Sequence, residues 1–116
     1  MVVKHYEQVA AKPVAMEGAE QVLIREVITP RDGAPNFAMR VFDVEPGGHT
    51  PFHSHDYEHE IFVLAGAGEV TEGKRVFELQ PGSVALIRPG TPHQFRNPGE
   101  TVLRFICLIP HQEPAG

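Results

Sequence analysis

Four of the seven histidines of this chain lie close together in the sequence, at His49, His53, His55 and His59. Imidazole is the commonest metal ligand among protein side chains. Residues two apart on a β-strand project from the same face, so a strand through His53 and His55 would hold both rings together. His59 has the same parity and can rejoin that face after a short turn. These three histidines therefore predict a facial set of nitrogen ligands for one divalent metal ion.

A fourth ligand would have to come from a distant strand. His93 is the candidate, because it follows the turn-rich segment of residues 89–92 and leads into a strand. A single histidine in a loop is more often solvated, or a local hydrogen-bond partner, than a metal ligand. We adopt that interpretation for His5, His49 and His111.

A different metal motif uses two of the same histidines. Residues 55–59 (HDYEH) match H-x-x-E-H, a zinc-protease pattern that needs a helix to bring both histidines to one face. On that helix His53 would point elsewhere. The segment also runs directly into the strand-like residues 61–64, and the chain is far shorter than such proteases. We therefore reject the protease interpretation.

No conventional nucleophile is visible in the sequence. Ser54 and Ser83 lack a G-x-S-x-G setting, and Cys107 has no histidine near it in sequence. Since Cys107 is the single cysteine, an internal disulfide and a cysteine zinc site are both excluded.

The elements that must position the histidines are short strands. The 116 residues include 11 Gly and 11 Pro, and the longest stretch free of both, residues 52–65, leaves little room for a helical fold. Apolar runs bounded by turn residues predict strands at 22–28, 36–44, 59–64, 69–71, 75–79, 83–87 and 101–109. Such a pattern is typical of an all-β sandwich or barrel. Residues 1–19 are expected to form an N-terminal arm or an edge strand.

Length and charge narrow the functional classes. A chain of this length fits one domain with one core. Its 10 Lys and Arg against 15 Asp and Glu, with no basic stripe, argue against nucleic-acid binding. No apolar run approaches the roughly 20 residues of a membrane span, and the first residues lack the apolar core of a signal peptide. We therefore expect a cytoplasmic protein that contacts neither nucleic acid nor membrane.

Two motifs, in order and about 20 residues apart, resemble those of the cupins, which are small β-barrels. The first covers residues 47–66 and keeps the family spacing, with histidine in place of the usual glutamate, at Gly47, His53, His55, His59 and Gly66. The second covers residues 82–97 and places proline one residue late, at Gly82, Gly90, His93 and Asn97. The resemblance implies a single cupin domain over residues 1–116, folded as a jelly-roll barrel (double-stranded β-helix).

The flanking segments look like stand-alone, all-histidine cupins that bind manganese. The resemblance therefore implies one divalent ion on His53, His55, His59 and His93, with manganese favoured. Imidazole also suits Fe, Ni, Cu and Zn. Histidine in place of glutamate leaves the ion its full +2 charge and makes it a stronger Lewis acid.

The leading functional hypothesis is a metal-dependent oxidoreductase, dioxygenase-like, acting on a small organic substrate. Two alternatives remain open, since one barrel can host many chemistries. One is a metal-dependent isomerase or lyase that polarises a carbonyl or carboxylate without oxidation. The other is a small-molecule-binding module that performs no reaction.

Strand alternation also predicts the pocket wall. Arg104 is expected to face solvent, because an unpaired buried guanidinium is costly, which turns Phe105 and Cys107 inward to border the metal. Asp43 facing outward would likewise turn Arg40 inward, where an anionic substrate group is one candidate partner. The alternatives are an inert core thiol at Cys107 and a surface position for Arg40.

Two further points concern the surroundings of the site. The apolar run at residues 22–28 is a candidate for packing across a two-fold axis, and cupins commonly form homodimers, so a homodimer is expected. Asp56 and Glu58 are either hydrogen-bond partners of the imidazoles or solvated loop charges.

Overall fold

The computed structural model describes residues 1–111 and is almost entirely β-structure. Two short 3-10 helices cover Tyr6–Gln8 and Pro30–Asp32. The strands in these residues are β1 (Lys12–Pro13), β2 (Glu20–Ile28), β3 (Phe37–His49), β4 (His59–Ala65), β5 (Gly68–Glu72), β6 (Arg75–Leu79), β7 (Val84–Ile87), β8 (His93–Arg96) and β9 (Leu103–Pro110). No helix in the described residues is long and apolar enough to cross a membrane. The all-β prediction is confirmed.

The strands form one curled sheet. Its order is β6-β5-β8-β3-β9-β4-β7, with β2 added along β3 and the two-residue β1 added to β2. Strand β3 is central, because it pairs with β2, β8 and β9. The curl encloses one face, and that inner face carries the core.

Strand β3 continues past the point where the sequence predicted its end. The predicted strand stops at residue 44, before Pro46, but β3 runs on to His49. Gly47 has φ 81°, a backbone conformation that favours glycine, and a Cβ at Gly48 would meet the carbonyl oxygen of Glu20 at 2.7 Å. These two glycines let the strand bend, so its end reaches β8 while its start pairs with β9.

Asn97 of the second sequence motif fixes that bend. Its side-chain amide donates to the carbonyl oxygens of Val44 (2.8 Å) and Thr101 (2.7 Å). Its backbone carbonyl accepts from Gly47 N–H, and its backbone N–H donates to the carbonyl of Gly48. Asn97 is buried, so water cannot reach these backbone groups, and the hydrogen bonds of Asn97 satisfy them instead. The motif asparagine is therefore a structural residue.

The inner face follows the predicted alternation. On β9 Leu103, Phe105 and Cys107 are buried, and on β4 His59, Ile61 and Val63 are buried. Neighbouring strands are in register, with Phe42 opposite Phe105 and Ile61 opposite Cys107. The inward orientation expected for Phe105 and Cys107 is thus what the fold provides.

The outer face of β9 corrects the expectation for Arg104. Its side chain does point away from the core, but it does not lie free in solvent. Arg104 donates from Nε and Nη2 to both carboxylate oxygens of Asp43, at 2.7 and 3.1 Å, and from Nη1 to the hydroxyl of Tyr6 at 3.0 Å. The N-terminal segment covers this pair, and Asp43 is only 7% exposed.

The N-terminal segment combines the two forms expected for it. Tyr6 opens a short 3-10 helix and lies under the guanidinium groups of Arg25 and Arg104, each 5.5 Å from its ring centre. Further along, β1 pairs with β2 at Leu23 and Ile24. Residues 1–19 are therefore an arm that contains a very short edge strand.

Candidate metal centre

His53 and His55 lie on the connection between β3 and β4, residues 50–58, which corrects the expectation that a strand carries them. Only His53 has a strand-like partner. It forms an isolated bridge with His93, with backbone N–H···O distances of 3.1 and 2.9 Å in the two directions. The carbonyl of His55 in turn accepts from Gly90 N–H at 2.6 Å. These bonds join the connection to the segment that enters β8 and hold the distant histidine opposite the local pair.

Three histidines form a compact set of nitrogen donors. His53, His55 and His93 each offer a ring nitrogen, and these nitrogens all lie within 4.8 Å of one another. Ring centres are 4.2 Å apart for His53 and His55 and 5.1 Å apart for His53 and His93. An ion about 2 Å from each nitrogen needs nitrogens within about 4 Å of one another. The three rings therefore need to move only slightly closer together to bind an ion.

His59 stands beside that set at the start of β4. Its ring centre is 4.7 Å from that of His55 and 5.3 Å from that of His93. The residue is 6% exposed, and its Nε2 is buried without a hydrogen-bond partner in the described part of the chain. A buried nitrogen with no partner is costly unless an ion or water occupies the space it faces. The residues present therefore fit a divalent cation, which would satisfy this atom.

Burial and neighbouring positive charge keep the four imidazole rings uncharged. Burial lowers the pKa of His53 and His93 below 6.5. Burial, with the positive charges of neighbouring groups including Arg40, lowers the pKa of His55 to about 4 and that of His59 to about 3. At neutral pH each imidazole thus has a lone pair to donate to a cation.

Two groups that the sequence did not suggest hold the rings in place. The carbonyl oxygen of Thr91 lies 2.9 Å from His93 Nδ1 and can accept its proton, which leaves Nε2 as the donor to an ion. Tyr57 stacks on His55 with ring centres 4.8 Å apart. Thr91 acts through its backbone, so its residue type carried no signal, whereas an aromatic residue between two histidines could have been noticed.

The carboxylates considered as partners of the imidazoles are exposed. Asp56 and Glu58 both lie at the surface, and neither accepts a hydrogen bond from an imidazole within residues 1–111. Asp56 acts only through its charge, which slightly opposes the lowering of the pKa of His55. The structure thus favours solvated loop charges over direct partners.

The histidines lie in the wall of a large open cavity. The cavity has a volume of about 1330 Å³ and extends from the histidines to β2 and the N-terminal arm. Phe105 stacks on Phe42 and Phe95, with ring centres 5.3 and 4.5 Å apart, and these rings form an apolar wall. Arg40 and Cys107 line the same cavity, as the alternation of the strands predicted.

Cys107 connects the arginine to the histidines. Arg40 Nη2 donates to Cys107 Sγ at 3.1 Å, and the same sulfur lies 3.2 Å from His59 Nδ1. Burial raises the pKa of the Cys107 thiol, so it stays protonated at neutral pH. The residues predicted from the sequence as metal ligands and as pocket lining are thereby brought together around one cavity.

Comparison with known proteins gives relatives of several activities. The chain is 34% identical over 71 residues to 1-methylthio-D-xylulose 5-phosphate methylsulfurylase of Rhodospirillum rubrum, which covers 61% of this chain and 46% of the relative. It is 35% identical over 85 residues to protein SchB of Streptomyces halstedii, covering 72% and 62%. The chain thus spans less than two thirds of either curated relative.

Solved structures match over nearly the whole chain. The polyketide cyclase RemF from Streptomyces resistomycificus superposes with a TM-score of 0.93 at 35% identity, covering 98% of this chain and 82% of that one. A cupin-2 domain protein from Rhodospirillum rubrum superposes with a TM-score of 0.84 at 23% identity, covering 97% and 76%, which bears on the fold alone. Residues 40–109 match the family model Cupin_2, described as a cupin domain. The chain therefore belongs to the cupin superfamily.

Proposed function

We propose that this protein is a metal-dependent cyclase, which closes a ring within a substrate that carries several ketone groups along a carbon chain. The observation that carries the proposal is the set of neutral histidines, half-buried at His53 and His55 and buried at His59 and His93, in the wall of a large cavity with aromatic lining. The likeness to a polyketide cyclase over nearly the whole chain supports it. It shares the non-oxidative polarisation of a carbonyl with the isomerase or lyase alternative that the sequence left open, but names a different reaction.

In this proposal His53, His55, His59 and His93 hold one divalent ion. Manganese is favoured by the resemblance of the sequence, and Fe, Ni, Cu and Zn all suit imidazole ligands. The ion, when bound, supplies a Lewis acid that polarises a carbonyl oxygen. The histidines add no negative charge, so the ion keeps its full +2 charge.

The remaining chemistry belongs to the cavity. Phe42, Phe95 and Phe105 provide an apolar surface against which a flexible substrate can fold. Folding it on that wall brings a methylene carbon close to a carbonyl carbon and prepays the entropy of ring closure. The new carbon–carbon bond forms as a proton leaves the methylene and another reaches the carbonyl oxygen. No electrons are lost, so no oxidant is consumed.

The dioxygenase-like oxidoreductase is the second candidate. It is favoured by the ligand type, since imidazoles readily bind iron, copper and manganese, which can pass electrons to dioxygen. The two candidates differ in stoichiometry, because a dioxygenase consumes one dioxygen for each product and a cyclase consumes none.

The test begins with elemental analysis of the purified protein. The protein, loaded with the metal found, is then given a synthetic 3,5,7-triketo acid in an oxygen electrode. In this compound a bond between the C2 methylene and the C7 ketone carbon closes a six-membered ring. We expect a cyclised product without oxygen uptake, and loss of both product and metal in single alanine variants at the four histidines. His49→Ala, outside the cluster, is the matched control and keeps its metal. Oxygen uptake equal to product would establish the dioxygenase instead, and binding without turnover would indicate a binding module. Full metal content in His59→Ala would reduce the site to three ligands.

A further inference from the structure

Among the half-buried arginines of residues 1–111, Arg40 on β3 lacks an acidic partner. The others are paired, since Arg25 and Arg104 contact Asp43 and Arg96 contacts Glu69. Within residues 1–111, Arg40 has no carboxylate within ion-pair distance. The fold thus pairs these arginines on its outer side and leaves unpaired the one that lines the cavity.

The hydrogen bonding of Arg40 is also incomplete. Its guanidinium donates a hydrogen bond from Nη2 to Cys107 Sγ, and sulfur is a weak acceptor. Its Nε is buried without an acceptor in the described chain. A guanidinium has five N–H donors, and leaving a charged group partly buried and unpaired is costly. The cavity is therefore built with an unsatisfied positive charge in its wall.

The neighbours of Arg40 hold it in place without neutralising it. Its guanidinium carbon lies 5.0 Å from the ring centre of Phe42, so the cation rests against an aromatic face. Glu26 is the cross-strand partner of Arg40 and lines the cavity too, but it is exposed and forms no ion pair with Arg40. An outside carboxylate would thus meet an oriented cation.

The position of Arg40 relates it to the histidines. One sulfur atom separates the two groups, at 3.1 Å from Arg40 Nη2 and 3.2 Å from His59 Nδ1. A small molecule that reaches Arg40 is therefore beside the histidine cluster.

We infer that Arg40 is the subsite for a carboxylate of the ligand, and that the cavity selects acids over neutral molecules. This deepens the proposed function and rests on it for the reaction, so the substrate class becomes a keto acid whose carboxylate docks on Arg40. Guanidinium matches a carboxylate with two parallel N–H···O bonds, and Lys cannot reproduce that geometry.

The test is a binding measurement on metal-free protein, so that a carboxylate cannot bind through an ion instead. Benzoate and its neutral analogue benzamide are titrated by calorimetry at low salt. We expect benzoate to bind about tenfold or more tightly than benzamide, since hydrogen bonds to a charged group are worth this factor. Arg40→Gln should abolish the preference, and Arg40→Lys should keep only part of it.

Controls separate the subsite from general effects. Arg75→Gln removes one positive charge from an exposed position on β6 and should leave the preference unchanged. Thermal melts establish that the Arg40 variants are folded. A benzoate preference that survives Arg40→Gln, or is absent from the wild-type protein, overturns the inference. Turnover of the triketo acid, with no role for Arg40 in benzoate binding, would overturn the acid subsite and support the cyclase. A benzoate preference that depends on Arg40, without turnover of the triketo acid, would support the acid subsite and overturn the cyclase.

Discussion

Replacement of Cys107 by alanine removes the sulfur that lies between two cavity groups. Sγ accepts a hydrogen bond from Arg40 and lies 3.2 Å from Nδ1 of His59. When Nδ1 carries the ring proton it donates to this sulfur, and Nε2 keeps the lone pair that an ion requires. We therefore predict that the thiol acts as a positioning group for His59, not only as core packing.

The size of the effect follows from burial. Cys107 is 2% exposed, so its sulfur accepts hydrogen bonds at a buried position that alanine leaves without an acceptor. A buried donor without its acceptor costs about 1–3 kcal/mol, and sulfur is a weak acceptor, so we expect a loss of about 2 kcal/mol in the free energy of unfolding. For a domain of this size that corresponds to a fall in Tm of roughly 10 °C. Loss of a group that orients a ligand typically weakens metal binding by about 10–100-fold.

Two measurements separate positioning from packing. Thermal denaturation of the metal-free protein reports stability, and competition with a chelator reports metal affinity. Val63→Ala is the matched control, because Val63 is fully buried on β4 and the hydrogen-bond partner of His59 Nδ1 is Cys107, not Val63. It should lower Tm and leave metal affinity unchanged. Cys107→Ser keeps an acceptor and should recover much of the affinity.

The refuting result is specific. If Cys107→Ala lowers Tm as Val63→Ala does while metal affinity stays within about threefold of the wild type, the positioning role is wrong. Cys107 would then be the inert core thiol that the sequence left open.

Two other predictions concern pH and assembly. The metal-free protein should lose stability as the pH falls from 6.5 towards 4, because burial lowers the folded-state pKa of His55 to about 4 and of His59 to about 3, so the unfolded chain binds more protons. Equal urea midpoints at pH 7 and 5 would contradict this. We also propose a homodimer through the exposed outer face of β4 and β7, where Val84 is 72% exposed. The other candidate interface is residues 22–28, which pair with β3 along one edge of β2. Light scattering at micromolar concentration should give a dimer for the wild type and for the control Val76→Glu on β6, and a monomer for Val84→Glu. A wild-type monomer would end the proposal.

Much of the candidate site could be predicted because strand structure has a local period of two. Alternation along residues 103–109 correctly turned Phe105 and Cys107 inward, and the spacing of glycines and histidines identified the family. Arg40 followed from the same alternation, since Asp43 three residues later faces outward. These inferences need only the directions of neighbouring side chains, which the local sequence encodes.

Other features depended on contacts between distant segments. His53 and His55 lie on a connection and not on a strand, and their placement comes from backbone bonds to His93 and Gly90. The partner of Arg104 is an aspartate 61 residues away on another strand. Such pairings have no local signal, because they form only when the sheet curls and brings separate strands into register.

The absence of a partner for Arg40 within residues 1–111 is likewise a property of the tertiary structure. The sequence contains 15 acidic residues, any of which could have paired with it. By itself the sequence determined the inward-facing residues, the family and the histidines that could bind a metal. The tertiary structure decided how those histidines meet and which charges neutralise one another, because both depend on distances across the barrel between residues far apart in the chain.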